Sequence, residues 1–205
     1  MIIIKRKDLF FIAVLSLALI ISLSSNLDVT KSADVTVSAT IASDITCDFS
    51  TTTASFGELT TAAVSTAFGS TTINVNSSDV AVVKVQDDGD TTDPGLYNSA
   101  GATDLIGSAD AASGNTATLA AETEGYGMQA TSTDFGTAMT IAVRYDNAST
   151  TNDVGGFEIT DLNMASSTGS VTNARVIMYY KAAVSDSNLA GSYSDIITYT
   201  CSNTL

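Results

Sequence analysis

The sequence predicts an all-β protein, an antiparallel sandwich of about nine strands behind an N-terminal leader. Three observations point there. Apolar and polar residues alternate with period two in most segments beyond residue 34, which is the pattern of a strand with one face buried. Thr, Ser, Ala, Gly and Val dominate, Pro occurs once, and Trp and His do not occur, a palette suited to β-structure with many turns. No segment after the leader holds a helical period over about 11 residues.

The leader comes first. "MIIIKRKDLFFIAVLSLALIISLSS" places Lys5, Arg6 and Lys7 before an apolar run, Leu9 to Leu23, broken by Ser16 and Ser22, and ends in small polar residues. That order is a secretory signal peptide, residues 1–25, with cleavage expected near Ser24 or Ser25. The 15-residue run falls short of the ~20 residues that span a bilayer, so no stable membrane span is expected after cleavage. The alternative is an uncleaved anchor. A lipoprotein would need a cysteine at the cut, and a type IV pilin leader an early glutamate; neither is present.

Residues 26–205 then form one domain. Its 180 residues suffice for a single core burying roughly 70% of the unfolded surface. In "DVTVSATIASDITC", Val35, Val37, Ala39, Ile41, Ile45 and Cys47 share one parity and Thr36, Ser38 and Thr40 the other. Further strands are expected near 55–59 and at 70–76, 80–86, 124–130, 139–145, 157–162 and 174–184. In the closing run "GSYSDIITYTC", Tyr193, Ile197, Tyr199 and Cys201 again share a parity, blurred by Ile196. The stretch 103–125 reads as a long inserted loop.

Both cysteines thus stand at core-facing positions. In an exported chain two distant thiols pair, so a Cys47–Cys201 disulfide is expected, fastening the first strand to the last. It would close a loop of roughly 150 residues, worth ~4–5 kcal/mol.

Charge and composition exclude several classes. The whole chain carries a net charge of −14, and without the leader it has 5 basic and 21 acidic residues, net −16. Such a chain repels nucleic acid and anionic membranes. Without His, no Ser-His-Asp or Cys-His nucleophile can be assembled, and a bridged cysteine cannot attack. An enzyme would need a pocket in which two carboxylates face each other, one with a raised pKa; the acids lie mostly in turns, and the expectation is no enzymatic activity.

The quoted ends resemble a known family. "TCDFSTTTASFGELT", "AFGSTTINVN" and "AGSYSDIITYT" are similar to the spore coat protein U-like secreted subunits, related to chaperone-usher pilins. The matching positions are Cys47, Phe56, Gly57, Gly191, Tyr193, Asp195 and Thr198. The family usually pairs its early cysteine within the second strand, where this chain has none. The resemblance implies an immunoglobulin-like sandwich serving as a secreted structural or adhesive subunit of a cell surface, pilus- or fimbria-like, with copies of itself or other surface subunits as partners. If the alternating segment Val35 to Ile45 pairs within its own domain, the product is self-contained. If it pairs with a neighbour's open edge, subunits chain into a fibre by strand addition. The bridge at Cys47 favours the former.

The rival expectation is a monomeric extracellular module binding glycan or calcium. "DDGDTTDPG" crowds Asp87, Asp88, Asp90 and Asp93 around Gly89 and Gly95, hard oxygen ligands of the kind Ca²⁺ takes, although the spacing fits no EF-hand loop and a solvated turn, common in acidic secreted proteins, is the more ordinary explanation. No other cofactor is expected. Sequons at Asn76 and Asn147 are candidate glycosylation sites. Tyr126, Tyr179, Tyr180, Tyr193 and Tyr199 could line a ligand surface, though strand tyrosines more often pack in the core.

Overall fold

Period-two burial runs through the long strands and builds two antiparallel sheets that face each other. The computed structural model describes residue 39 and residues 44–68, 70–98, 104–109, 116–134, 138–147 and 150–204. The leader and the alternating run Val35 to Ile41, apart from Ala39, lie outside the described residues. The strands are β1 (Ile45–Phe49), β2 (Ser65–Thr66), β3 (Thr71–Ser77), β4 (Val80–Asp87), β5 (Gly95–Asn98), β6 (Asp104–Gly107), β7 (Thr116–Thr118), β8 (Gly125–Asp134), β9 (Thr140–Ile141), β10 (Asp153–Gly155), β11 (Leu162–Ser166), β12 (Val171–Ala183) and β13 (Ile197–Thr204). No described residue is helical, so none of them belongs to a helix able to cross a membrane.

One sheet runs β1-β3-β12-β8-β10-β7, with β2 also on β12; the other runs β13-β4-β11-β9, and β5 pairs β6 separately. Between the two sheets lies the core. Ile73, Val75, Met128, Val176 and Met178 enter it from the first sheet, and Ala81, Val83, Val85 and Met164 from the second, all at most 1% exposed. Along β4 every second residue is buried, the odd-numbered ones being inward. The two-residue step from β3 to β4 carries the chain between sheets. Where β12 slips register against β3, between Val171 and Ala174, Asn173 adopts φ +51°, a left-handed conformation that Asn tolerates better than most residues. The Asn76 Oδ1 secures it by accepting the Asn173 N–H at 2.8 Å.

The expected disulfide is present. Cys47 and Cys201 are joined with Cα atoms 6.6 Å apart, linking edge strand β1 of one sheet to edge strand β13 of the other.

Several strand expectations are corrected. The 139–145 segment is extended only at β9, because residues 143–145 turn and bring the buried Tyr145 hydroxyl to the Gly156 carbonyl at 3.0 Å. The 157–162 strand shifts to β11, since Phe157 enters the core from irregular chain. Near 55–59 there is only a single bridge, Ser55 to Phe68. The 103–125 stretch contains β6 and β7, and β5 and β10 were not expected at all.

Candidate functional site

The inward rows of β4 and β13 run past the apolar core and end in carboxyl groups. On β4 the odd row reads Ala81, Val83, Val85, Asp87; on β13 it reads Cys201, Tyr199, Ile197 and continues back to Asp195. Ile197 stands opposite Asp87 in the ladder, so Asp195 arrives beside the Asp87 side chain. Asp87 is 0% exposed.

Backbone donors hold each carboxyl. Gly95 N–H donates to Asp87 Oδ1 and Gly89 N–H to Asp195 Oδ1, both at 3.3 Å. The turn between needs its glycines: Gly89 has φ +49°, and a Cβ there would lie 2.0 Å from the Asp93 carbonyl oxygen. The remaining oxygens, Oδ2 of each, are buried without a hydrogen-bond partner, and the two carboxyls adjoin closely enough that each perturbs the other. Burial first, then the adjoining Asp195, pushes Asp87 up to about 8. Burial raises Asp195 as well, so both members of the pair resist ionisation. The Tyr126 hydroxyl also bonds to Asp195.

Asp195 borders a cleft of about 990 Å³. One side is the chain after β1, residues 49–61; the other is the chain between β12 and β13, residues 184–196; the floor includes Leu96, Ile106, Tyr126, Tyr180 and Tyr199. At the floor the Tyr180 and Tyr199 hydroxyls meet at 2.7 Å. Tyr180 also reaches Thr71 Oγ1 at 3.3 Å. The outer side is tied down at Asp104, whose Oδ2 accepts the Leu189 N–H at 2.7 Å and meets the Tyr193 hydroxyl. Those bonds hold the Asp104 carboxyl below its usual range, while desolvation and the Asp104 bond push the Tyr193 phenol up to about 12. Glu58, Asp186 and Asp195 border the cleft, and no Lys or Arg does among the described residues.

Of the expected tyrosines, Tyr126, Tyr180, Tyr193 and Tyr199 line this cleft, and Tyr179 does not. The four aspartates of the turn do not converge. Asp87 points inward to Asp195, and Asp90 accepts the backbone N–H groups of Thr92 and Asp93 at 2.8 and 2.7 Å. Among the described residues no three Asp, Glu, Cys or His side chains are placed to hold a metal ion. Asn76 and Asn147 both spend their side-chain amides internally, on the Asn173 N–H and on the Arg144 carbonyl at 3.1 Å.

Two facing carboxyls with one raised pKa are what an acid–base enzyme would require, and the sequence analysis did not foresee them. Hydrolysis of a sugar bond needs the pair ~5–9 Å apart around the substrate; here Asp87 is fully buried and does not line the cleft. The comparisons add no assignment: no family model, no curated protein and no solved structure matches this chain.

Proposed function

We propose that this protein is an exported, non-enzymatic structural or adhesive subunit of a cell surface, with an immunoglobulin-like sandwich of the spore coat protein U-like kind that its two ends resemble. It joins copies of itself or other surface subunits by strand addition. The observation that carries this reading is the edge of β13. The strand pairs with β4 on one side, no described strand pairs with it on the other, and its inward residues Ile197 and Tyr199 look into an open cleft. An extended segment added there would gain main-chain hydrogen bonds and bury apolar side chains together. The disulfide supports an oxidising, extracellular setting, and the acidic composition suits a protein that must stay soluble there.

The test is size-exclusion chromatography and electron microscopy of the protein purified from the surface of its own cells. Filaments, with multimers that survive SDS and dissociate on boiling, are expected. Monomers in both measurements refute strand addition. A tyrosine-lined cleft also favours a second reading, a monomeric glycan-binding module; there, a glycan should raise the melting temperature while the protein stays monomeric. The calcium version of that module lacks a converging ligand set among the described residues.

A further inference from the structure

We propose that Asp87 and Asp195 share one proton that latches residues 184–196 onto the sandwich, and that alkaline medium releases this side of the cleft by removing it. The inference concerns the isolated subunit and stands whether or not subunits add strands. Its basis is geometric. Asp87 is fully buried and Asp195 half-buried with its Oδ2 shielded from solvent, and two adjoining carboxyls so placed cannot both be ionised without bringing like charges together in a poorly solvated site. A single proton resolves this, and it also satisfies the two Oδ2 atoms that have no other partner.

Among the described residues no Lys or Arg is hydrogen-bonded or ion-paired to either carboxyl. From β8 comes the Tyr126 hydroxyl and from β12 Tyr180, both influenced by the Asp195 charge; from the 143–145 turn comes Tyr145, influenced by Asp87. Asp88, Asp90 and Asp93 occupy the adjoining turn. Glu158, whose carbonyl accepts the Asp87 N–H at 3.0 Å, has its carboxylate on Arg144 at 3.0 Å. Among the described residues the titratable neighbours named here are acidic or phenolic except Arg144, whose Nη2 pairs with Glu158 while its Nε and Nη1 are buried without a hydrogen-bond partner.

The latch holds four pieces of chain together: the end of β4, the turn through Gly89, the start of β5 at Gly95, and Asp195 at the root of residues 184–196. The other ties on that side are the Asp104 contacts, Asn188 to Glu124 at 2.8 Å, the Tyr97–Ser194 bridge, the Asp88 N–H to the Ile196 carbonyl at 3.1 Å, and the packing of Val184 and Tyr193 on the core. Ionising the second carboxyl leaves those ties to oppose the repulsion alone. The sign is set by a folded pKa above the unfolded one: the contribution is full below pH 3.8 and is lost as pH rises through about 8.

The experiment is urea unfolding of the full chain between pH 6 and 9, alongside hydrogen exchange at the Gly89 and Ser194 amides normalised to intrinsic rates. In the wild type the unfolding constant should rise about fifty-fold from pH 6 to 8, as one proton held at about 8 rather than 3.8 requires. Protection of both amides should fall above pH 8. Asp87→Asn, whose amide donates permanently to Asp195, should abolish the rise and keep both amides protected; Asp195→Asn, donating the other way, should diminish the rise, the burial of Asp87 remaining. A wild-type profile flat across this range overturns the proposal even if neither variant folds. So does a variant that retains the wild-type slope, or a step that shifts on adding Ca²⁺ or EDTA, since the pair would then hold a metal.

Discussion

Replacing both cysteines, Cys47→Ala with Cys201→Ala, isolates what the covalent link contributes. The bridge spans 154 residues, and the chain-entropy relation gives a loss of about 17 cal/mol/K for a loop that long, or about 5 kcal/mol at 25 °C. Both side chains are only partly buried at the rim of the core, so the lost sulfur packing adds little and the unfolded state carries most of the effect. Urea unfolding should therefore show a lower midpoint together with a larger slope, because the unlinked chain exposes more surface when it unfolds. In a thermal scan the same loss corresponds to about 10–20 °C. The double variant also avoids the free thiol that either single change would leave. A loss below about 1 kcal/mol would refute the view that the link acts by restricting the unfolded chain.

Three further outcomes are expected. Tyr199→Phe removes the 2.7 Å hydroxyl contact to Tyr180 but leaves Tyr180 its Thr71 partner, and should cost about 1 kcal/mol in urea unfolding. Gly156→Ala would place a Cβ 1.7 Å from the Ala109 carbonyl oxygen, a clash with backbone that no rotamer relieves; a loss above about 3 kcal/mol, read by the midpoint, is expected. Glu158→Gln leaves Arg144, 6% exposed, without its charge partner, and should cost about 2 kcal/mol, with little dependence on added salt because the arginine is buried.

The long strands were legible because alternation there reflects a real burial difference. Ile197, Tyr199 and Cys201 turn inward and Ile196 is 67% exposed, so the parity of the closing run held despite one apolar residue on the wrong face. The same reading found the disulfide. It failed at short strands: β7 and β10 have three residues each, too few to show a period, and β5 ("GLYN") follows the only proline. Phe157 looked like the start of a strand because a buried aromatic resembles one, yet irregular chain delivers it to the core. The acid pair was within reach and was overlooked. Asp87 shares the parity of Ala81, Val83 and Val85, and Asp195 that of Ile197 and Tyr199, so the pattern already placed both carboxyls on buried faces. Reading "DDGDTTDPG" as one acidic cluster concealed that its first member belongs to the preceding strand.

The two fastenings, on β13 and just before it, answer to different chemistry, reductant at Cys201 and base at Asp195, and their spacing decides whether they act separately. Six residues of extended chain separate them by about 20 Å, beyond the range at which perturbations usually couple. The pH-dependent loss should therefore be the same size, within about 0.5 kcal/mol, in the double cysteine variant as in the wild type. Unfolding both proteins in urea at pH 6 and pH 9 measures this. If the cysteine-free protein loses much more stability at pH 9 than at pH 6, the strand transmits strain along its length, and opening the side of the cleft at residues 184–196 would then loosen the whole edge where β1 and β13 meet.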